Sequence, residues 1–362
     1  MAKIVSITPG YYRLPLAEAL SDSMHGTVGS FEINTVRVRD ADGAEGVGYG
    51  YVPGRNGAAI HAILRHDVPD QLIGQDADRI EHLWHKLWWG QHYGGRGGPA
   101  VLAQSVVDIA LWDLKATKAG MPLWRLLGGN DPVVDCYVGG IDLDFPLDKL
   151  IAQADGNLAK GYRAIKMKVG RARLAEDVAR VRAMREHLGA DFPLMVDANM
   201  KWSVDEAVRA ARALHEFNLT WIEEPIDPEN SAGHRRVLQE GGTPIATGEN
   251  LRTLWEFRQL ITEGGVTFPE PDVVNCGGIT PFMKIAHLAE AFSLPVTSHG
   301  VQDVSIHLLA ALHNRSYMEV HDFGLQRFMR ETVRIENGRA LAPERPGHGV
   351  AFDWDALGRI AA

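Results

Sequence analysis

From about residue 132 onward, apolar and polar positions fall into a repeating rhythm. Short apolar runs end in polar residues, and amphipathic stretches follow. The runs read as strands: VVDCYVGG, RAIKMKVG, FPLMVDAN, LTWIEEP, TPIATGEN, PDVVNC, LPVTSHG and YMEVHD. Between most of them lie stretches such as RLAEDVARVRAMREHLG, SVDEAVRAARALHEFN and TLWEFRQLITEGG, with apolar residues three and four apart. Several begin after Ser, Thr or Asp and end in Gly or Asn, the residues expected at helix caps. Eight strands alternating with helices predict a parallel β/α barrel. An open doubly wound sheet is the rival. It would carry a Gly-rich phosphate turn after its first strand, for which YVGGID is a weak match.

The N-terminal third has a different pattern. FEINTVRVRDADGAEGVGYGYV predicts two strands joined by a turn at DADG. PAVLAQSVVDIALWDLKATKAG predicts a helix ended by Gly120, with Pro122 beyond it. Strands followed by helices suggest a separate α+β domain. The final segment, ETVRIENGRALAPERPGHGVAFD, predicts a short hairpin turned at ENG that packs back on the first domain. The expected organisation is therefore an α+β domain over 1–130, a barrel over 131–325, and a returning segment over 326–362.

Composition narrows the function. The chain has 362 residues, 45% of them hydrophobic and 23% charged, as expected for a globular protein. A net charge of -9 argues against nucleic acid and against an anionic membrane surface. No segment approaches the roughly 20 apolar residues of a membrane span. The start, MAKIVSITPGYYRLPL, lacks a basic stretch followed by a long apolar run, so no secretory signal is expected. Cys136 and Cys276 both lie in strand-like runs and are expected as buried free thiols in a cytoplasmic protein.

Candidate chemistry sits at the strand ends, where β/α barrels carry their active sites. The third, fourth and fifth strands end at Asp197, Glu223 and Glu249, which stand 26 residues apart, one β/α unit each. Three carboxylates at one rim repel each other and raise one another's pKa unless neutralised. A divalent cation removes that problem, and an all-oxygen set favours Mg²⁺ over zinc.

The second strand alternates Ile165, Met167 and Val169 with Ala164, Lys166 and Lys168, so both lysines share one face. That face is expected to be the barrel interior beside Asp197. A second ammonium and a cation nearby would lower a lysine's pKa and make it a base near neutral pH. On the far side, His299 ends the seventh strand and Asp272 begins the sixth. An Asp held against a His fixes its tautomer and raises its basicity. Glu319 on the eighth strand, if protonated, could donate a hydrogen bond to a developing oxyanion. Bases on both sides of a held ligand suit removal of a proton next to a carboxylate, hence a small-molecule carboxylate substrate.

These residues resemble the enolase superfamily, specifically its mandelate racemase subgroup, over nearly the whole chain. The resemblance rests on DIALWDLKATKAGMPLWRLLGG, the Lys-x-Lys strand, VDAN, WIEEP, TGEN, PD…GGIT, SH and the final Glu. Asp272 and His299 also stand 27 apart, as in the subgroup's Asp–His dyad. The resemblance implies that Asp197, Glu223 and Glu249 bind Mg²⁺. It makes Lys168 one base, with Lys166 lowering its pKa and touching the substrate carboxylate. It makes His299, oriented by Asp272, the acid or base on the other face, and Glu319 a hydrogen-bonding partner of the enediolate oxygen. Asn199 would touch the metal shell or the substrate, whereas Glu224 and Asn250 are read as structural. It also implies an α+β cap over a (β/α)₇β barrel and a homo-oligomer, octameric in many members.

The outcome of the reaction is left open by family membership. Loss of a β-hydroxyl would make an acid-sugar dehydratase, with His299 as the acid for the departing hydroxide. Reprotonation on the opposite face would make a racemase or epimerase, and a ligand-binding homologue without activity is a third class. The loops of the first domain bear on the choice. SDSMHGTVGS offers His25 and hydroxyls, with Met24 its one sizeable apolar side chain. YVPGRNG offers Arg55, and WGQHYGGRGG offers His92, Tyr93 and Arg96. A polar cap suits a polyhydroxylated acid, and Arg55 or Arg96 could hold a distal carboxylate bidentately. FPLMVDAN, EFNLTWIEEP and TPIATGE are similar to stretches of the L-talarate/galactarate dehydratases.

Overall fold

In a computed structural model that describes residues 2–321 and 323–362, β-branched and aromatic residues of the first 53 positions build an antiparallel sheet. Its strands are β1 (Ile4–Asp22), β2 (Gly26–Asp40) and β3 (Glu45–Pro53), in that order. The stretch SDSMHGTVGS, expected as a loop, is mostly strand: β1 and β2 run into it and leave only Ser23–His25 as a turn. In β3, glycines at every second position clear one face. A Cβ on Gly46 would lie 2.2 Å from the Ala110 oxygen, and one on Gly48 would lie 1.9 Å from the Val106 oxygen. The helix Gly98–Lys118 therefore lies directly on the strand backbone.

The barrel strands follow in chain order. They are β4 (Val133–Gly139), β5 (Ile165–Lys168), β6 (Leu194–Asp197), β7 (Ile222–Glu223), β8 (Ile245–Thr247), β9 (Phe268–Pro269), β10 (Val296–Ser298) and β11 (Arg315–Val320). Neighbours are parallel from β4 to β9, and β11 sits between β10 and β4. A single parallel bridge, Asp272 to His299, joins the β9 and β10 sides of the ring. A helix follows each of β4 to β10, so the described residues form a (β/α)₇β barrel. Ser203 starts one such helix with a capping box to Glu206, and Thr253 caps another.

Two expectations are corrected here. The sixth strand lies at Phe268–Pro269, not at PDVVNC. Asp272 Oδ1 instead accepts the backbone N–H groups of Val274 (2.6 Å) and Asn275 (3.3 Å), a local turn that competes with the ladder. Asp272 thus stands past the end of its strand, and Cys276 lies in a turn rather than a strand. Cys136 is in β4, and both thiols are buried and free. The strand expected over YMEVHD is β11, which ends at Val320; the last residue of that run, Asp322, lies outside the described residues.

The hairpin at ENG forms as β12 (Arg334–Glu336) and β13 (Arg339–Leu341), but β13 pairs with the barrel strand β4 instead of the first sheet. The chain beyond it does return to that sheet. His348 N–H donates to Asp113 Oδ1 (2.8 Å), Phe352 packs edge-on against Tyr49, and Ala362 N–H donates to the Tyr11 oxygen. Tyr137, Ala164, Met195, Trp221 and Ala246 form a buried cluster of their own. Among the described residues no helix is long and apolar enough to cross a membrane.

Candidate active site

Parallel register sets the floor of the site. Lys168 pairs in register with Asp197, and Asp197 with Glu223, so three strand ends bring their charges to one level. Glu223 pairs with Ala246, which leaves Glu249 just past the end of β8. Asp197, Glu223 and Glu249 are all buried. Below them Trp221 donates its indole N–H to Glu223 Oε2 (3.0 Å). Asn199 donates its backbone N–H to Asp197 Oδ1 (2.8 Å), and its buried side-chain Oδ1 has no partner among the described residues.

Lys166 and Lys168 face this cluster. Lys166 is ion-paired with Glu223, lies 2.6 Å from Glu319 Oε1 and 3.8 Å from Asp197; Lys168 is ion-paired with Asp197. Across the mouth, His299 Nδ1 donates to Asp272 Oδ2 (2.8 Å). Its Nε2 points at Glu249 Oε2 (3.2 Å) and Glu319 Oε2 (3.7 Å). Gly300 N–H donates to Glu319 Oε2 (3.2 Å).

The charges in this buried space depend on one another. Burial and the nearby Asp197, Glu319 and Glu249 outweigh Lys166 and push the Glu223 carboxyl up to about 8. Asp197 goes the other way, because Lys168 and Lys166 overcome its burial. The lowering expected for Lys168 needs a cation beside it; among the protein's own groups, both lysines are raised. Burial pulls each down, but Glu223, Glu319 and Asp197 around Lys166, and Asp197 beside Lys168, outweigh it. His299 is likewise raised well above the usual imidazole range despite burial, by Glu249, Glu319 and Asp272. Glu319 could donate a hydrogen bond only if protonated. Burial favours that form, but His321, Lys166 and His299 hold its carboxyl well below the usual range. The donor set fits a divalent cation: three carboxylates, all oxygen, whose charge is balanced here by two ammonium groups.

Above this floor is a cavity of about 440 Å³. Lys166, Lys168, Asp197, Asn199, Glu249, Asp272, His299 and Glu319 reach it, as do His25 and Arg55 from the first domain. Glu223 lies beneath, fully buried. Arg96 does not reach it. Its guanidinium stacks over Trp88 (4.8 Å) and Trp89 (5.2 Å), where the indole faces hold the cation. The His92 and Tyr93 rings meet at a tilt at the surface, and Met24 points outward, 54% exposed. The cap is less polar than expected, since Leu20, Val28, Phe31 and Leu102 line the cavity with Phe323. Asn250 also lines it and donates to Glu224 Oε2 (2.7 Å), while the buried Glu224 Oε1 has no partner among the described residues.

The sequence reading missed His321. Its Nε2 lies 2.9 Å from Glu319 Oε1, and its ring stacks on Phe323. The signal was present, because His321 follows Glu319 by two and shares its side of the strand. Asp22 was also missed; its Oδ2 accepts from His25 Nδ1 (2.9 Å).

Comparison with known proteins agrees with this geometry. Residues 13–128 match the mandelate racemase / muconate lactonizing enzyme N-terminal domain, and residues 149–356 match the enolase C-terminal domain-like family. The chain is 55% identical over 350 residues to a 3,6-anhydro-alpha-L-galactonate cycloisomerase of Streptomyces coelicolor, with 97% of each chain covered. It is 39% identical to the L-talarate/galactarate dehydratase of Salmonella typhimurium, over 94% of this chain and 86% of that one. A crystal structure of a racemase from Streptomyces coelicolor with bound magnesium superimposes with a TM-score of 0.97 at 53% identity, covering 99% of this chain and all of the other. The chain belongs to the mandelate racemase subgroup of the enolase superfamily, among relatives that include acid-sugar dehydratases and a cycloisomerase.

Proposed function

We propose that the protein removes the proton α to the carboxylate of a sugar acid and then expels the β-oxygen, giving a 2-keto-3-deoxy acid. The observation that carries this reading is one cavity shared by two candidate bases, Lys168 and the Asp272-held His299, above three clustered carboxylates. In this reading Asp197, Glu223 and Glu249 hold Mg²⁺, with Asn199 beside them. When bound, the ion supplies positive charge to the substrate carboxylate and so acidifies the α-proton. Lys168 and His299 accept or return protons on the two faces of the α-carbon. Lys166, anchored by Glu319, gives its ammonium to a carboxylate oxygen. Glu319 acts as an ionised anchor for Lys166, His299 and His321. Arg55 contacts the far end of the substrate.

Two leaving oxygens fit the chemistry: a free hydroxyl, giving dehydration, or the ring ether of a 3,6-anhydro acid, giving an isomer. The ether is favoured on two grounds. The relative at 55% identity over 97% of both chains is a cycloisomerase. The wall of Leu20, Val28, Phe31, Leu102 and Phe323 also suits a ring with fewer hydroxyls. Reprotonation without elimination, as in a racemase, is supported by the two facing bases. Assembly as a homo-oligomer belongs to the same reading. Exposed Trp89, Tyr93 and Trp255 offer apolar surface for it, and light scattering would test it.

The test is incubation with Mg²⁺ and a panel of 3,6-anhydrogalactonate, aldonic and aldaric acids, assayed for 2-keto-3-deoxy products. A product from the anhydro acid makes it a cycloisomerase, and one from an open acid makes it a dehydratase. Deuterium at the α-carbon from D₂O with no keto acid makes it a racemase or epimerase, and refutes elimination.

A further inference from the structure

Expelling the β-oxygen needs a proton donor; His299, the acid expected from the sequence, is given with Lys168 to the two faces of the α-carbon in the reading above, and the floor of the site holds the carboxylate. The β-carbon of a ligand held there extends toward the roof, which the first domain supplies. Among the described roof residues that line the cavity, four carry ionisable side chains: Asp22, His25, Tyr51 and Arg55. Arg55 is already assigned to the far end of the substrate. Burial and the nearby Asp272 drive the Tyr51 phenol far upward, so it is a poor donor. His25 is left, and it is not a loose surface imidazole.

His25 is held at the β1–β2 tip. Its Nδ1 donates to Asp22 Oδ2 (2.9 Å), while Asp22 Oδ1 accepts the backbone N–H groups of Met24 (2.9 Å) and His25 (2.6 Å). With Nδ1 committed, Nε2 is left to meet a ligand. The arrangement repeats that of Asp272 and His299 on the opposite wall. The tip itself is fastened beside the floor. Ser23 Oγ donates to the Ala198 oxygen (2.7 Å), next to Asp197. Ser21 bridges to Asp142, whose Oδ1 accepts the backbone N–H of Lys168 (2.9 Å). Asp22 further favours the protonated ring, and the charges of Glu249 and Lys168 both reach it.

We infer that the Asp22–His25 pair is the acid of the elimination, with His25 Nε2 giving its proton to the departing β-oxygen. This rests on the elimination proposed above. The α-proton passes to a base, and the C2–H electron pair moves onto the carboxylate group. That pair then forms the C2=C3 bond as C3–O breaks, and the oxygen takes the bond electrons and the His25 proton. The enol gains a proton at C3, loses one from oxygen, and solvent reprotonates His25. For a ring ether the balance is an isomer; for a hydroxyl it is loss of water.

The experiment compares wild type with His25→Asn on the best substrate and on its 3-deoxy-3-fluoro analogue, whose fluoride leaves without a proton. The expected result is a fall in kcat of at least about 100-fold on the oxygen substrate, with fluoride release and α-hydrogen exchange in D₂O near wild type. Equal losses on both substrates would overturn the acid and make His25 a positioning residue. Unchanged kcat on the oxygen substrate would overturn it too. A wild type that exchanges the α-hydrogen yet eliminates neither group would overturn the elimination itself, and the acid with it.

Discussion

His307 is buried in the helix Gln302–Ala310, and both of its ring nitrogens are committed. Trp124 donates its backbone N–H to Nδ1 (3.2 Å), so the ring proton is on Nε2, which donates to the His348 oxygen (3.0 Å). A proton on Nδ1 would face the Trp124 N–H. Burial and the neighbouring His348 push the ring down to about 3. The unfolded chain titrates near 6.5, so as pH falls the unfolded state takes up the proton first. Stability is then unaffected above about 6.5, falls through the interval down to about 3, and levels off below it. At pH 5 the loss from this residue is about 2 kcal/mol. Urea unfolding at pH 7 and pH 5 would be compared for wild type and His307→Gln, whose amide can accept and donate in the same places. The variant should lose about 1–2 kcal/mol at pH 7, while its further loss at pH 5 should be about 2 kcal/mol smaller than the wild type's. His234, pushed down to about 4 by burial, titrates in both proteins and cancels. An identical pH dependence in the two proteins would refute the assignment of a neutral, doubly bonded His307.

Three further outcomes are expected. Removing divalent cations with a chelator should abolish turnover, and Mg²⁺ should restore it; full activity after stripping would remove the cation from the account. Gly48→Ala should lower stability by about 1–3 kcal/mol, because its Cβ meets the Val106 oxygen on the packed helix, and an unchanged Tm would contradict that packing. Arg96→Ala should leave kcat/KM within about 2-fold, since among the described residues its guanidinium is held by Trp88 and Trp89, away from the cavity; a loss of about 10-fold would put it at the substrate.

The floor of the site was legible because parallel β/α units repeat. Carboxylates 26 residues apart must recur at one rim, and a Lys-x-Lys strand must show both lysines to one side. The sixth strand was misplaced because PDVVNC is apolar and β-branched, while the deciding contact, Asp272 with its own following backbone, is local and polar. Arg96 was misassigned because only the folded helix Ile80–Gly90 sets two indoles in its path. The ionisation of Glu319 depends on Lys166 and His299, which other strands bring to it, as well as on His321 two residues along, so only part of it is local in the sequence. The apolar wall was hidden because Val28 falls in a stretch read as a polar loop, and Leu20 sits just before it.

The central claim is that this site breaks a C–O bond β to the carboxylate. ¹H NMR of 3,6-anhydrogalactonate with Mg²⁺ in D₂O tests it most directly, with Lys168→Ala as the control for contamination. The account predicts an opened 2-keto-3-deoxy acid carrying one deuterium at C3, absent with the variant. A closed ring with deuterium at C2, and no keto acid, would contradict it.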